Sequence, residues 1–476
     1  MSELGDRQEK VAPTLRGGNG SCHGVTRLLW VNQVLPIVLV QRPVSTGASP
    51  VGRFFLGSPD TFVISAHSEI PLERCISLFG YVVILGLAWA MSSHKRVIPW
   101  RVILGGTALQ FLFAFLTLKT APGLWLFSRI GDFFTEVLDF VDVGSSFVFG
   151  EAFREHFFAF KVLPTIVFFS SLMSVLYYLG VMQAVVRAMA WLMQKSLGTS
   201  AAETLSAAAN IFVGQTEAPL LVRPYISTMT KSELNAVMVA GFGTIAGGVL
   251  AAYVGMGIDA GHLVTASFIA APACLLIAKL MVPETEAPQT LGQVAVDFRS
   301  QDANVIDAAA AGASEGVKLA LNVAAMMIAF LALVAMLDKG VVLMGHHLFA
   351  AEWSIKGGLG FLFAPMAWLM GIEWRDCFKA GELLGIKMAL NEFVAYEELG
   401  RWLKPDSPVQ LQSRSVVILT YALCGFSNFG SIGIQIGGLG AMVPERRGDL
   451  ARLGFKAMLG GTLATCLTGC VAGALL

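Results

Sequence analysis

The sequence predicts an all-α polytopic membrane protein with about eight transmembrane helices. Hydrophobic residues make up 55% of the 476 residues, charged residues only 14%, and the mean hydropathy is +0.67. A helix needs around 20 apolar residues to cross about 30 Å of hydrocarbon, and several runs of this chain reach that length. Because soluble domains carry nearly twice this share of charge, the composition excludes a water-soluble protein.

Eight apolar runs are predicted to cross the membrane. They lie near residues 76–91, 102–118, 163–182, 237–255, 262–281, 313–337, 415–440 and 453–475. The amphipathic, acidic stretch 121–161 is predicted to lie at the external interface. Lys95, Arg96 and Arg101 place the loop between the first two spans in the cytoplasm, because basic residues favour that side.

Residues 1–72 differ from the rest of the chain. Their one apolar run, residues 28–40, is interrupted by Asn32 and Pro36 and is too short for a span. We interpret this segment as a disordered extension or the result of an upstream start codon, with an interfacial segment as the alternative.

Charge and cysteine content argue against several other functions. The 33 basic and 33 acidic residues cancel, which gives no indication of nucleic-acid binding. The seven cysteines contain no CxxC pair, so neither a disulfide framework nor a zinc site is predicted. No HExxH motif or plausible Asp pair supports an intramembrane hydrolase, so this class is a distant alternative, and no enzymatic activity or cofactor is expected.

Two motifs place a carboxylate in strongly apolar surroundings. The first is GQTEAP at residues 214–219, and the second is NEFVAY at residues 391–396. A charged side chain at bilayer depth costs roughly 3 kcal/mol, so it is retained where it faces a polar cavity and binds a ligand. The two motifs therefore indicate a transport site.

The two motifs lie in segments that are too interrupted to cross the membrane as plain helices. Residues 200–225 and 378–404 are predicted to form two re-entrant hairpins. Ser200 and Glu203 form a capping box that begins the first half-helix, and Gly214 is predicted to break it. Asn391 marks the second break. Unpaired backbone groups at such breaks are tolerated where they line a cavity.

Each predicted hairpin is followed by an interrupted span rich in small residues, at 241–248 and at 425–433. The order of hairpin, interrupted span and span occurs twice, and the first copy is predicted to enter from the cytoplasm and the second from outside. Inverted repeats whose broken helices meet near the midplane are typical of secondary transporters.

Three motifs give a specific family resemblance. ANIFVGQTEAPLLVRPY at residues 209–225, NEFVAY at 391–396 and CGFSNFGSIGI at 424–434 resemble, in the same order, motifs of the concentrative nucleoside transporters. The resemblance covers about residues 75–476 and implies a homotrimer that imports nucleosides by cation symport through alternating access. A multi-pass protein of a bacterial inner membrane is expected.

The resemblance also implies a division of each subunit into two parts. Residues 73–195 and 286–377 correspond mainly to a scaffold. Residues 196–285 and 378–476 correspond to a transport domain that moves against it.

The resemblance implies nine substrate-binding residues: Gly214, Gln215, Thr216, Glu217, Val249, Glu392, Phe426, Asn428 and Ser431. Gln215, Thr216 and Glu217 face the nucleobase, with Val249 packed against it, and Phe426 supplies an aromatic wall. Glu392, Asn428 and Ser431 hold the ribose hydroxyls. Because Gly214 leaves room at the base, purine and pyrimidine nucleosides are both expected.

A sodium ion is the expected coupling ion. The resemblance implies four ligand residues: Asn210, Val213, Thr244 and Ile245. Asn210 and Thr244 offer side-chain oxygens, and the other two offer backbone carbonyls, which suit this cation in coupled carriers. A proton is the alternative, with Glu217 or Glu392 as the titrating group.

Structural roles for the same residues are the competing interpretations. Glu217 and Glu392 would pair with Arg223 or Lys387 and merely fix the hairpins. Phe426 and Val249 would be core packing, and Asn428 with Ser431 would join helices. A channel, the other alternative class, needs a continuous polar pore, which two hairpins would block.

Overall fold

The computed structural model describes residues 72–151, 153, 158–291, 302–349 and 354–476. All regular elements of these residues are helices, which confirms the all-α prediction. The interpretation of residues 1–72 lies almost wholly outside the described part of the chain.

The described residues contain seventeen α-helices. They are α1 (Leu72–Ala90), α2 (Trp100–Lys119), α3 (Ala121–Phe149), α4 (Leu163–Tyr178), α5 (Val181–Leu197), α6 (Ala201–Ala209), α7 (Arg223–Ile226), α8 (Lys231–Gly243), α9 (Gly247–Gly255), α10 (Ala260–Met281), α11 (Val305–Phe349), α12 (Ile355–Leu369), α13 (Trp374–Ala389), α14 (Glu392–Trp402), α15 (Ser413–Leu423), α16 (Phe429–Met442) and α17 (Arg447–Leu475). A π-helical turn, Phe158–Val162, leads into α4, and 3-10 turns at Ala218–Val222 and Pro444–Arg446 lead into α7 and α17.

Seven helical segments of the described residues are long and apolar enough to cross a membrane. They are α1, α2, α4 with its π-helical turn, the α8–α9 pair, α10, α11 and α17 with its 3-10 turn. An eighth candidate is the pair α12–α13, which bends by 119°. The predicted span 415–440 is instead two shorter helices, α15 and α16, and α12 was not predicted as a separate helix.

The spanning helices fall into a buried and an exposed group. In the most apolar stretches of α8–α9, α10 and α17, 83%, 89% and 78% of the residues are buried, whereas in α11 the share is 12%. A helix that exposes apolar residues around most of its circumference is suited to lipid or to another protein surface. The first group therefore forms the core of this chain, and the second surrounds it.

The long helix α11 packs closely on α4 through two glycines four residues apart. A Cβ added at Gly312 would lie 2.5 Å from the Cβ of Ser174, and one at Gly316 would lie 2.7 Å from the Cα of Val167. Small residues at this spacing let membrane helices approach closely. The two glycines also complete a GxSxG string around Ser314, but a hydrolase needs that string in a strand-to-helix turn, and here it lies within a continuous helix.

The order of elements after α5 occurs twice. The pair α6 and α7 is followed by a helix broken at residues 244–246, α8–α9, and by the continuous α10. The pair α13 and α14 is followed by a helix broken at residues 424–428, α15–α16, and by the continuous α17. We call these two series the first and second copies of the repeat.

A buried ionic cluster fixes the beginnings of α6 and α8. Both helices begin with a capping box, Ser200 with Glu203 and Thr230 with Glu233, as predicted for the first. Lys279 near the end of α10 places its Nζ 2.7 Å from Glu203 Oε2, and all three side chains of this ion cluster, Glu203, Glu233 and Lys279, are at least 96% buried. Buried charges of this kind require partners.

Candidate functional site

The breaks in the two copies of the repeat lie against one another. After α6 the chain is not regularly helical over residues 210–217. The N–H of Gly247, at the start of α9, donates to the carbonyl of Phe212 in this break, at 2.9 Å. The N–H of Phe426, in the break of the second copy, donates to the carbonyl of Thr244 at 3.2 Å. Three breaks thus meet at one place.

Gln215, in the first break, is hydrogen-bonded to the second copy of the repeat. Its Nε2 donates to Ser431 Oγ at 3.3 Å, and its Oε1 accepts from Gln435 Nε2 at 3.1 Å. Gln435 Nε2 also donates to the carbonyl of Met238, at 3.1 Å. The side chains of Gln215, Ser431 and Gln435 are all buried.

Glu392 begins α14 and is buried among neutral donors. Asn391 caps the helix by accepting a hydrogen bond from the N–H of Val394 at 2.9 Å, as its position at a break predicts. Tyr253 OH donates to Glu392 Oε1 at 3.1 Å, and Asn428 Nδ2 donates to Oε2 at 3.2 Å. A carboxylate in the first turn is also stabilised by the helix dipole.

Asn428 links this carboxylate to α16. It is the N-cap of that helix, where its Oδ1 accepts from the N–H of Ser431 at 2.8 Å. Ser431 in turn accepts from Gln215. A continuous series of buried polar side chains therefore joins the two copies, and we call it the polar chain: Gln435, Gln215, Ser431, Asn428, Glu392 and Tyr253.

Tyr253 and Gln435 are members of the polar chain that the sequence does not predict. Gln435 lies in the glycine-rich helix α16, and Tyr253 lies in the apolar helix α9. A lone amide or hydroxyl in such a helix indicates a buried partner, because an unpaired polar group there is costly. It does not indicate which partner.

Glu217 lies apart from the polar chain and is exposed in this chain. Its Oε1 accepts from Thr216 Oγ1 at 2.9 Å, and a Cβ added at Gly214 would lie 2.1 Å from its Oε2. Thr216 also packs against α16, where a Cβ added at Gly438 would lie 2.7 Å from its Cγ2. Gly214 therefore leaves the space that the Glu217 carboxylate occupies.

Neither acid forms the ion pair of the competing interpretation within the described residues. Lys387 Nζ instead donates to the carbonyl of Ala422 and to Thr465 Oγ1, both at 2.8 Å. No nitrogen–oxygen distance of 4.0 Å or less joins Glu392 to Lys387 or Glu217 to Arg223. The carboxylate of Glu392 is therefore held by neutral groups, and that of Glu217 is accessible.

The two apolar members of the predicted site differ in burial. Val249 is buried in α9, and Phe426 is half-buried in the second break. The backbone hydrogen bond to Thr244 places Phe426 directly beside the predicted sodium ligands.

Two predicted sodium ligands, Asn210 and Thr244, lie at the carboxyl ends of α6 and α8. Asn210 is fully buried and its Nδ2 donates to the carbonyl of Ser206 at 3.0 Å. Its Oδ1 has no hydrogen-bond partner among the residues that the structure describes. Thr244 Oγ1 donates to the carbonyl of Ala240 at 2.8 Å and keeps its lone pairs. Neutral oxygens at helix ends suit sodium. In the described part of the chain, no group of three or more Asp, Glu, His or Cys side chains is placed to hold a metal ion.

Family models match most of the chain. "Na+ dependent nucleoside transporter N-terminus" matches residues 79–152, "Nucleoside recognition" matches residues 159–260, and "Na+ dependent nucleoside transporter C-terminus" matches residues 262–473.

Relatives include Solute carrier family 28 member 3 of Homo sapiens, 45% identical over 86% of this chain and 61% of its own length. Sodium/nucleoside cotransporter 1 of Mus musculus is 46% identical, over 85% of this chain and 64% of its own length. This chain thus spans less than two thirds of the length of those relatives. An uncharacterized transporter of Haemophilus influenzae is 46% identical over 83% of this chain and 96% of its own length.

Solved structures show the same architecture. CNTnw in an inward-facing substrate-bound state has a TM-score of 0.80 and 44% identity, with 85% of this chain and 98% of that chain covered. A variant of CNTnw in an outward-facing state has a TM-score of 0.79 and 43% identity, with 84% and 97% covered. These matches are to transporters and not to enzymes, as the sequence predicts. The chain belongs to the family of sodium-dependent nucleoside transporters.

Proposed function

We propose that this chain imports nucleosides by symport with sodium. The polar chain supports this function, because it joins two copies of a repeat through buried amides, hydroxyls and one carboxylate at the breaks of helices. Membership of the family supports the substrate class and the ion.

A nucleoside has a flat base with donor and acceptor edges and a sugar with neighbouring hydroxyls. Glu392, Asn428 and Ser431 bind the ribose, since a buried carboxylate and amide form strong hydrogen bonds to hydroxyls. Gln215, Thr216 and Glu217 contact the base. A site of this kind rejects analogues that lack a hydroxyl, because its buried groups are then left unpaired.

Both purine and pyrimidine nucleosides are substrates in this proposal. The exposed position of Glu217 supports it, because the base end is less enclosed than the buried ribose end, whereas the space beside Gly214 is taken by the Glu217 carboxylate. Val249 and Phe426 supply apolar contacts to the base.

Sodium binds between the ends of α6 and α8. The position of Asn210 Oδ1 carries this assignment, since it is a neutral oxygen at the carboxyl end of α6, where a cation is favoured, and it has no hydrogen-bond partner among the described residues. Thr244 Oγ1 and the carbonyls of Val213 and Ile245 complete the set. Sodium entry down its gradient then drives nucleoside accumulation.

The pairs α6–α7 and α13–α14 are re-entrant hairpins of opposite orientation in this proposal. With the helices that follow them they form a transport domain, which moves against a scaffold of the more exposed helices and alternates access. The mutual packing of α8, α10 and α17 supports one moving body, because helices that pack closely on one another can move as a rigid unit.

A homotrimer in a bacterial inner membrane is the proposed assembly. The exposed apolar surface of α11 supports it, because one face of this helix is then covered by neighbouring subunits and the rest by lipid.

The test is uptake of labelled uridine and adenosine into cells that lack other nucleoside carriers. An imposed sodium gradient is compared with a sodium-free proton gradient. Uptake that requires sodium is the expected result. Accumulation driven by a proton gradient alone would show that the coupling ion is a proton and not sodium. If the protein is expressed and accumulates neither nucleoside, the proposed substrate class is refuted.

A further inference from the structure

A fully buried lysine near the second hairpin break has no role in the function proposed above. Lys387 lies in the last turn of α13, five residues before Glu392, and is 2% exposed. Its Nζ donates to the carbonyl of Ala422 and to Thr465 Oγ1, both at 2.8 Å. No carboxylate lies within 4.0 Å of it in the described part of the chain. An ammonium buried without an ion pair is costly, so it requires an explanation.

The surroundings of Lys387 are the ends of two helices. Ala422 lies in the last turn of α15, whose last carbonyls have no partner within the helix. Lys387 itself lies in the last turn of α13. The carboxyl ends of helices carry a partial negative charge that favours a cation. The ammonium thus lies where two helix ends meet, and it donates to a carbonyl and a hydroxyl.

The first copy of the repeat has the same arrangement of helix ends but no such residue. The counterparts of α13 and α15 are α6 and α8, and neither has a basic residue in its last turn. The breaks that follow them meet through the hydrogen bond from Gly247 to Phe212. At these ends lie Asn210, with its unpaired buried Oδ1, and Thr244. An oxygen-lined position for a cation is therefore present without a side chain that fills it.

We propose that the Lys387 ammonium is a built-in cation. It occupies a position in the second copy of the repeat that corresponds to the position of the coupling ion in the first copy. Each subunit then binds one coupling ion for each nucleoside, because the second position is permanently filled. This inference rests on the proposed sodium site, and it adds the number of ions and a positioning role for Lys387.

The experiment uses the full chain, purified and reconstituted in lipid vesicles. Lys387→Ala removes the ammonium and leaves room for an ion, and Lys387→Arg keeps the charge. Lys379→Ala is the matched control, because Lys379 lies on the same helix but is partly exposed and pairs with Glu382 at 2.8 Å. Sodium is varied at constant ionic strength with choline chloride.

The first readout is the melting temperature of each variant against sodium concentration, which needs no nucleoside. When an ion binds only the folded protein and its sites are nearly saturated, the stabilisation rises with the logarithm of the ion concentration, and the slope is proportional to the number of ions bound. In Lys387→Ala the slope of melting temperature against the logarithm of sodium concentration is expected to be about twice that of the unaltered chain, because a second ion binds. Lys379→Ala and Lys387→Arg are expected to keep the original slope. An unchanged slope in Lys387→Ala overturns the proposal.

The second readout is the ratio of charge to nucleoside moved by the unaltered chain, obtained from its reversal potential. A ratio of one is expected, and a ratio of two overturns the proposal even if Lys387→Ala does not fold. Sodium-driven nucleoside uptake by Lys387→Ala should depend on the sodium concentration more steeply, with a Hill coefficient that rises from about one toward about two, because a second ion takes the place of the ammonium. If no nucleoside is transported while sodium still stabilises the protein, the proposed substrate class is wrong. The dependence of melting temperature on sodium then tests the role of Lys387 by itself.

Discussion

Glu392 is held by the hydroxyl of Tyr253 and the amide of Asn428, and no cation lies within 4.0 Å of it in the described residues. Each of these two donors has one of the carboxylate oxygens as its acceptor. The sequence predicts Glu392 and Asn428 as members of one site. It does not predict Tyr253, which lies 139 positions away along the chain. A contact of that kind is set by packing, and a local pattern carries no information about it.

Glu392→Gln is expected to lower sodium-dependent uridine uptake by roughly tenfold or more. The glutamine amide N–H₂ faces either Asn428 Nδ2, so that two donors meet, or Tyr253 OH, which then accepts and loses the acceptor of its own proton. Uptake is measured at equal surface expression. Glu397→Gln is the matched control, because Glu397 lies five residues further along α14 and pairs with Arg401 at 2.6 Å near the surface. Equal loss in both variants would count against a binding role for Glu392.

Asn210→Ala is expected to raise the half-saturating sodium concentration by about tenfold, because it removes a buried oxygen that is free to bind the ion. The measurement is the sodium dependence of uridine uptake. Asn235→Ala is the control: this buried amide of α8 donates to the carbonyl of Ala278 at 3.2 Å, so its loss should lower stability and leave the sodium dependence unchanged. A sodium dependence unaffected by Asn210→Ala would remove this residue from the site.

Local signals place the beginnings of the helices that build the site. The capping box at Ser200 and the Asn391 cap both begin helices where the sequence predicts them. The break predicted at Gly214 extends over residues 210–217. The sequence does not predict α12, because Gly and Pro interrupt its apolar pattern. Helix boundaries of that kind depend on the neighbouring helix, here α13, and not on the local residues alone.

Gly241→Ala is expected to impair nucleoside uptake. A Cβ at this position of α8 would lie 2.6 Å from Gln435 Nε2 and 3.0 Å from Gln215 Cβ, so the hydrogen bond between these two side chains is displaced. Overpacking of this kind costs about 1–3 kcal/mol. Gly433→Ala in α16 is the control, because nothing lies within 4 Å of its added Cβ. Apparent nucleoside affinity and melting temperature are measured for both.

Glu203→Gln is expected to destabilise the protein by about 3 kcal/mol, since it leaves the buried Lys279 with one charged partner fewer. Glu284 still pairs with this lysine at 3.1 Å, so the expected loss of stability is at the lower end of the values found when one partner of a buried ion pair is removed. Thermal unfolding in detergent measures the change. The exposed pair of Glu315 and Lys318 provides the comparison, and Glu315→Gln is expected to change stability by less than about 0.5 kcal/mol.

At the scale of the whole molecule, composition and apolar runs predict the fold class and most spanning helices, because both depend on hydrophobic length alone. They do not predict which helices form the core. The distinction between the buried α10 and the exposed α11 appears only in the assembled chain, since both are similarly apolar along their length. The repeat motifs, in contrast, predict which segments lie together.

The exposed surface of α11 leads to a prediction about assembly. The purified protein is expected to have the mass of three copies of the 50.8 kDa chain, because subunit contacts would cover part of the apolar surface that a single chain leaves open. Native mass spectrometry from detergent measures it. A mass of one chain under conditions that preserve sodium-dependent stabilisation would assign that surface to lipid.

The hydrogen bond from Phe426 to the carbonyl of Thr244 joins the broken helices of the two copies backbone to backbone. Such a bond does not depend on side-chain rotamers, so the separation of these two residues is fixed as long as both breaks keep their shape. Spectroscopic labels on α8 and α15 should therefore report one constant distance through the transport cycle. That constant distance would serve as an internal reference for measuring the displacement of the surrounding helices.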